Sequence, residues 1–544
     1  MKVTSIGHAG MLVETSGGSI LCDPWFEPAF FASWFPFPRN DRLSGDLLER
    51  IEAADFLYVS HLHGDHHDTA WLRDHLRRDI PVLLPDYPTR EQRRTLAELG
   101  FDEFLRTEDT VETEIAPGLS VAIHVESSIT DGPGGDSALV VIADDAIVVN
   151  QNDCRTTDLG QLRSHGPVDL HWLQYSGAIW YPMVYEMDPG AKKAACDAKV
   201  EAQFARAMRY VEKIDARAVV PSAGPPCFLD PDLFHLNVID GTEASIFPDQ
   251  TRFLAMLADA DRDGVMNVPG TEIEVVAGAA PDGDGRIRVE HPAPIGEIEA
   301  IFSDKESYLR RYQSDWIGWI DAERSGWAAP STDLVASLRE WWEPLLAMAP
   351  TLRSQIGSNV VLRALPATSL DGTTDAVSDA AGGERLDVVI DFVAGEVRAH
   401  RDEPYAFRFD IDRRLVETVA ARRAVDWSNS LLLSCRFVAW REGEFNEYVY
   451  NFFKSLSRER VRRAEAEAVR KVAPPDAEAM ADEDDVRIGD YVVQRRCPHR
   501  DADLEAFGEI DGDEFVCTLH GWRFDCETGA CLTSAGHPLR IRRA

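Results

Sequence analysis

Two short cysteine–histidine pairs near the C-terminus are the residues whose types and spacing point most directly to chemistry. The first pair is Cys497 and His499, and the second is Cys517 and His520. On two loops, such pairs can hold one [2Fe–2S] cluster, with the thiolates on one iron and the imidazoles on the other. Imidazole is neutral where thiolate is negative, so this ligation raises the reduction potential above that of an all-cysteine cluster. The pattern therefore predicts single-electron transfer.

Two cysteines and two histidines would also suit a tetrahedral zinc site. A zinc finger places a Cys–Cys pair before a His–His pair, and that order is not found here. The mixed pairs, followed by Gly521-Trp522-Arg523-Phe524-Asp525, resemble Rieske domains of the oxygenase and ferredoxin branch. The resemblance implies a C-terminal all-β Rieske domain whose ligands are Cys497, His499, Cys517 and His520.

A second group of candidate ligands follows the apolar strand predicted at Phe56 to Ser60. It consists of His61, His63, Asp65 and His66, four metal-binding side chains within six residues. A loop after a buried strand can direct such side chains into one pocket, which favours a metal site over a solvated polar loop. His61 and His63 would face one metal position, and Asp65 and His66 an adjacent one.

The loop resembles the metallo-β-lactamase superfamily, as do the segments Ile6-Gly7-His8-Ala9-Gly10 and Leu21-Cys22-Asp23-Pro24-Trp25. The resemblance implies an αββα sandwich, with His8 and Asp23 as groups that orient the ligands. Asp153, after a predicted strand, fits the bridging aspartate of that superfamily.

Two further histidines of the superfamily pattern are poorly matched. His124 lies within a predicted strand, where we expect a core histidine, and His235 comes late in the chain. Ser222-Ala223-Gly224 stands where the last histidine is expected. Because the ligand set is reduced, two histidines and one carboxylate with open positions would suit one or two non-haem irons, with zinc as the alternative. The predicted catalytic metal ligands are His61, His63, Asp65, His66 and Asp153.

Taken together, the two sites favour an oxygenase, because a hydrolase needs no electrons whereas O₂ activation does. The chain also resembles CMP-N-acetylneuraminate hydroxylases. The shared segments are Asp23-Pro24-Trp25, Pro28-Ala29-Phe30, Ser60 to His66, Asn152-Asp153-Cys154 and Pro221-Ser222-Ala223-Gly224. The resemblance implies hydroxylation of a nucleotide-linked amino sugar such as CMP-sialic acid. In the vertebrate enzymes the Rieske domain comes first, whereas here it comes last.

The predicted fold class is multidomain α+β. We expect a metal-binding catalytic sandwich at residues 1–295 and a mostly helical α+β accessory region at 296–471. A linker at 472–485 would lead into the Rieske domain at 486–544. The nine cysteines are odd in number and scattered, which does not favour a disulfide framework.

The formal net charge of −37 argues against a nucleic-acid partner. The sequence predicts no membrane span and no signal peptide, so we expect a cytoplasmic protein. The leading hypothesis is a Rieske-dependent monooxygenase that uses O₂, a small-molecule substrate and electrons from a ferredoxin, cytochrome or flavin reductase. One alternative is a metal hydrolase with a structural or redox-sensing cluster. Another is a non-catalytic electron-transfer protein.

Overall fold

The structure is a computed structural model that describes residues 1–127, 135–157, 159–276, 285–331, 333–366, 385–472, 485–534 and 537–544. The chain divides into two compact units. Unit 1 comprises residues 1–179 and 189–321, and unit 2 comprises residues 180–188 and 322–544. In the described ranges, every helix is too short or too polar to cross a membrane.

Unit 1 contains two β-sheets. Its strands are β1 (Lys2–Gly7), β2 (Gly10–Thr15), β3 (Gly18–Cys22), β4 (Phe56–Tyr58), β5 (Val82–Leu84), β6 (Phe104–Arg106), β7 (Thr113–Ala116), β8 (Leu119–Glu126), β9 (Asp136–Ala143), β10 (Ala146–Asn152), β11 (Leu170–Gln174), β12 (Ala218–Ser222), β13 (Glu272–Val275) and β14 (Ile287–Glu290). Its helices are α1 (Gly45–Glu52), α2 (Thr69–His75), α3 (Glu91–Glu98), α4 (Leu159–Ser164), α5 (Pro189–Ile214), α6 (Gln250–Asp259), α7 (Ile295–Ser303) and α8 (Lys305–Ser325), the last of which runs past the unit boundary.

The two sheets pack face to face. The first has the strand order β14-β13-β1-β2-β3-β4-β5-β6, and the second has the order β12-β11-β10-β9-β8-β7. One buried core joins side chains of both sheets, such as Val13 and Ile20 from the first with Val141 and Val148 from the second. Burial of these aliphatic side chains supplies the main stabilisation of such a sandwich.

Helices cover the outer faces of this sandwich. Leu47 and Ile51 of α1 and Leu72 of α2 pack with Leu12 and Leu57 on the far side of the first sheet. Helices α5 and α6 lie against β11 and β12 of the second sheet. Unit 1 therefore has the predicted αββα sandwich architecture.

The described residues of unit 2 form three sheets, of five, three and three strands. Its strands are β15 (Asn359–Leu365), β16 (Leu386–Asp391), β17 (Glu396–Ala399), β18 (Phe407–Asp412), β19 (Phe437–Arg441), β20 (Asp485–Ile488), β21 (Tyr491–Gln494), β22 (Gly508–Asp511), β23 (Glu514–Cys517), β24 (Trp522–Asp525) and β25 (Ile541–Arg543). Its helices are α9 (Leu334–Ala347), α10 (Pro350–Ile356), α11 (Arg413–Ala421), α12 (Glu447–Phe453), α13 (Arg458–Val472) and α14 (Leu504–Phe507).

The central region contains more strand than the sequence predicts. The predicted pair of strands, β16 and β17, belongs to a sheet of order β17-β16-β15-β18-β19. The other three strands of that sheet are absent from the sequence prediction, because β15 and β18 pair in parallel across a long connection. Residues 473–484 of the predicted linker lie outside the described residues. The predicted domain boundaries stay a prediction.

Candidate metal centres

The loop after β4 carries four of the predicted ligands, and local hydrogen bonds fix its course. The backbone N–H groups of His66 and His67 both donate to the carbonyl of His63, at 3.0 and 2.8 Å. Asp68 then caps α2, because its Oδ1 accepts from the Trp71 N–H at 3.0 Å. The sequence thus folds here as a tight turn between a buried strand and a capped helix.

One ligand group brings together His61, His63 and Asp153. One potential ligand atom from each lies within 4.8 Å of the others. The His61 Nε2 and His63 Nδ1 atoms are 2.7 Å apart. Asp153 reaches this loop from the segment directly after β10. Two imidazoles and one carboxylate in this arrangement suit a divalent first-row metal.

A second ligand group lies beside the first and contains His8, Asp65 and His66. His8 Nε2 is 3.0 Å from Asp65 Oδ2. His66 Nε2 is 3.8 Å from Asp65 Oδ2 and 3.5 Å from Asp153 Oδ1. Asp153 therefore lies between the two groups, and all the predicted ligands of the N-terminal site come together. The sequence prediction gave His8 an orienting role, whereas the geometry makes it a candidate ligand.

Buried carboxylates behind the ligands orient them. Asp23 accepts from the Ser60 N–H at 2.7 Å and from the Ser60 hydroxyl at 2.8 Å. Its Oδ2 is also 3.1 Å from His66 Nδ1. Asp136, which the sequence prediction missed, places Oδ1 3.3 Å from His61 Nδ1. Such contacts fix which imidazole nitrogen is available to a metal.

The electrostatics of the site favour a bound cation. Burial, reinforced by the imidazoles of His66 and His63, holds the pKa of His61 well below its usual value, so His61 is in the neutral form that binds metals. Burial opposes charge on His66, but Asp153 and Asp65 outweigh it and raise the pKa of His66 well above its usual value. These carboxylates therefore stabilise a positive charge where a metal ion would supply one.

The backbone around the site is strained at strand ends. His8, Asp23, Asn152 and Ala223 have φ values of 53°, 42°, 40° and 47°, in the left-handed region that non-glycine residues rarely adopt. Ala223 also donates its N–H to the His8 carbonyl at 3.1 Å, where the superfamily pattern expects a last histidine. Strain of this kind persists at functional sites, where the surrounding structure enforces it.

The other histidines considered in the sequence lie elsewhere. His124 is buried in β8, as expected for a core histidine, and its Nε2 is 3.1 Å from His165 Nε2. His235 is exposed on a short 3₁₀ helix. Two apolar side chains lie beside the ligand loop, because Ala29 and the Phe30 ring are 3.5 and 3.6 Å from where a side chain on Gly64 would begin.

The predicted cluster ligands also converge, in unit 2. Cys497 and Cys517 are buried neighbours whose thiols interact. The His499 and His520 rings lie 5.0 Å apart, and His499 stacks on Trp522 at 3.8 Å. Glycine at position 521 supports the second loop, because its φ of 72° would strain another residue.

The atoms around this second centre fit a [2Fe–2S] cluster. His499 Nδ1 is buried, and none of the described residues hydrogen-bonds to it. Burial lowers the pKa of His499 to about 3, so its ring is neutral and can bind iron. Burial, together with Cys517, raises the pKa of the Cys497 thiol. A bound metal ion would therefore be needed to stabilise the thiolate forms of Cys497 and Cys517. Cys497, His499, Cys517 and His520 would hold the cluster.

A buried carboxylate faces the outer nitrogen of His499. Glu447 of α12 places Oε2 3.6 Å from His499 Nε2 and Oε1 3.0 Å from His537 Nε2. Lys471 also contacts it at 3.2 Å. Burial would raise the pKa of Glu447, but His499, His537 and Lys471 outweigh burial and hold it well below its usual value. A negative charge is therefore fixed beside a cluster ligand.

Comparison with known proteins identifies the C-terminal domain and the family. Residues 478–539 match the Rieske [2Fe-2S] domain, and residues 334–470 match the Rv3818-like, SCP2-like domain. The Rieske 2Fe-2S iron-sulfur protein Rv3818 of Mycobacterium tuberculosis is 42% identical over 551 residues, covering 100% of both chains. The chain therefore belongs to the family of this mycobacterial Rieske protein. The SCP2-like domain is absent from the domains predicted from the sequence.

Other similarities cover only parts of the chain. The cytidine monophosphate-N-acetylneuraminic acid hydroxylase of Danio rerio is 29% identical over 190 residues, which are 34% of this chain and 31% of the hydroxylase. Among solved structures, the diiron β-hydroxylase CmlA of Streptomyces venezuelae is 14% identical, with a TM-score of 0.32 over 48% of this chain and 52% of CmlA. The metallo hydrolase Igni18 of Ignicoccus hospitalis is 18% identical, with a TM-score of 0.33 over 49% of this chain and 95% of Igni18.

Proposed function

We propose that this protein is a Rieske-dependent non-haem iron monooxygenase that hydroxylates a small metabolite. The supporting observation is the presence of two separate ligand sets in one chain, the Rieske domain and the group His61, His63 and Asp153. When bound, a [2Fe–2S] cluster supplies single electrons and a non-haem iron activates O₂. Hydrolysis would need neither O₂ nor electrons.

The residues of the chain prepare the N-terminal site for this chemistry. Asp23 holds Ser60 and His66 in place, and burial keeps His61 neutral. His8 Nε2 lies within hydrogen-bond distance of Asp65 Oδ2, at 3.0 Å. Ala29 and the Phe30 ring pack beside Gly64 of the ligand loop.

The partial similarity to a CMP-N-acetylneuraminic acid hydroxylase supports a nucleotide-linked amino sugar as one substrate class. The electron donor would be a ferredoxin, a cytochrome or a flavin reductase, since a Rieske cluster accepts one electron at a time.

Nitric oxide tests this proposal without a known substrate. The anaerobically reduced full chain should give the EPR signal of a high-spin ferrous nitrosyl, because the N-terminal ligands leave open positions. His63→Ala should lose that signal, whereas His75→Ala, an exposed histidine outside the site, should keep it. Wild-type protein with normal iron content and no nitrosyl signal would contradict the proposal.

A metal hydrolase is the second candidate. The observation that favours it is the second ligand group of His8, Asp65 and His66, which would allow two adjacent metal ions. The Rieske cluster would then be structural or redox-sensing. This alternative predicts zinc in unit 1 and turnover without O₂ or reductant. An electron-transfer protein would hold no metal in unit 1.

A further inference from the structure

One face of the long helix α5 carries polar side chains toward the segment that follows Asp153. Lys199, Gln203, Arg206 and Tyr210 occur at positions i, i+4, i+7 and i+11, which share one side of a helix. The Tyr210 hydroxyl donates to the Thr156 carbonyl at 3.0 Å and so fixes this face against that segment. Basic side chains on a helix usually face solvent, but this stripe is directed inward.

Among the residues that the structure describes, the cations on and near this face have no hydrogen-bonding or ion-pair partner. Arg206 is only 8% exposed, and within the described ranges it forms neither a hydrogen bond nor a salt bridge. The same holds for Lys199 and for Arg155, which follows Asp153 by two residues; both are partly buried. Gln203 is 3% exposed, and none of the described groups hydrogen-bonds to its Oε1. Burying unpaired charge is costly, so such groups are retained where a ligand pairs with them.

Arg155 directly precedes Thr156, whose carbonyl accepts from Tyr210 at 3.0 Å, so the segment after Asp153 brings Arg155 to this side of α5. Burial and the charge of Arg155 lower the pKa of Arg206, whereas Tyr210 and Asp153 oppose that change. Burial, then Arg155 and Arg206, lowers the pKa of Lys199 to about 8. Arg155 therefore disfavours the charged forms of both helix residues, whereas the predicted metal ligand Asp153 favours the charged form of Arg206.

We propose that Arg155, Lys199 and Arg206 form an oxyanion-binding site that holds a phosphate or carboxylate group of the substrate beside Asp153. This inference rests on the proposed function, because it supplies the substrate class for that site. Guanidinium groups bind such oxyanions through paired N–H donors, and an ammonium adds a point charge. A local basic site also lets a chain of net charge −37 bind an anionic metabolite.

Equilibrium binding of inorganic phosphate to the full chain tests the site. We expect Arg206→Met and Lys199→Met each to weaken phosphate binding by roughly 10-fold or more, as for loss of one charge-assisted hydrogen bond. Lys213→Met, an exposed lysine on the same helix, should bind phosphate as wild type does. Acetate provides a second titration, so a preference between the two anions identifies which group the site accepts.

Iron, zinc and circular dichroism are measured for each variant, so that loss of metal or fold is not mistaken for loss of the anion site. Wild type that binds neither anion, or an Arg206→Met variant that binds as wild type does, would overturn the inference. Zinc in place of iron, with anion binding that still depends on Arg206, would remove the oxygenase proposal and leave the anion site standing.

Discussion

Replacing Lys199 by methionine should stabilise unit 1, because the charged side chain is partly buried and its charge is opposed by two other cations. Burial, with Arg155 and Arg206 adding to it, lowers the pKa of Lys199 from 10.5 to about 8. At about 1.36 kcal/mol per pKa unit, this change corresponds to about 3 kcal/mol of unfavourable free energy for the charged form. Since Lys199 is partly exposed, solvent screening reduces the effect to about 1–2 kcal/mol.

The stabilisation of unit 1 by Lys199→Met should decrease as the pH rises above 8. Below pH 8 the lysine is protonated in both the folded and the unfolded protein, so the full penalty applies and Lys199→Met gains most. Between pH 8 and 10.5 the folded wild type loses its proton first, and the free energy of unfolding of the wild type rises toward that of the variant. At pH 9.5 the gain should fall to about half.

Differential scanning calorimetry in phosphate-free buffer measures this effect. At pH 7 we expect the unfolding temperature of unit 1 to rise by about 2–5 °C in Lys199→Met. Lys213→Met, the exposed control on α5, should show no such rise. A Lys199→Met variant that is less stable than wild type at pH 7, or equally stabilised at pH 7 and 9.5, would show that the Lys199 charge does not destabilise unit 1.

Three further predictions concern the two metal centres. Glu447→Gln should raise the reduction potential of the cluster by on the order of 50–100 mV in protein-film voltammetry, because it removes a buried negative charge near the cluster; an unchanged potential would contradict this role. Cys497→Ser should abolish the visible absorption of the cluster, whereas Cys526→Ser should retain it; the reverse pattern would exclude the ligand assignment. Asp23→Asn should weaken metal retention in unit 1 by roughly 10- to 100-fold against a chelator, whereas the exposed-site control Asp55→Asn should match wild type.

The elements that position the metal ligands were predictable because their signals are local. In β1, β2 and β3, apolar residues alternate with polar ones or follow one another, and glycines separate the strands. The ligand loop directly follows a short apolar strand. Four ligand-type residues within six positions identify a site without knowledge of the fold. The Rieske ligands could be predicted for the same reason, because they occur in two short motifs on two loops.

The features that could not be predicted from the sequence depend on contacts between residues that are distant along the chain. His8 meets Asp65 across 57 positions, and only the pairing of strands brings them together. Strands β15 and β18 pair in parallel across a long connection, which no local pattern encodes. Lys199 and Arg206 resemble the solvated face of a helix in the sequence, because their burial arises from how α5 packs.

The metal content of a variant that lacks the cluster tests the central claim most directly. His499→Ala combined with Cys517→Ala removes the Rieske ligands, and anaerobic purification followed by elemental analysis reports on unit 1 alone. If the variant does not fold, the iron content of wild-type protein gives the answer instead. A [2Fe–2S] cluster accounts for two irons, so any further iron must be bound at another site. We expect about one or two irons in the variant, and more than two in wild type. Zinc alone in unit 1, or no metal at all, would contradict this expectation.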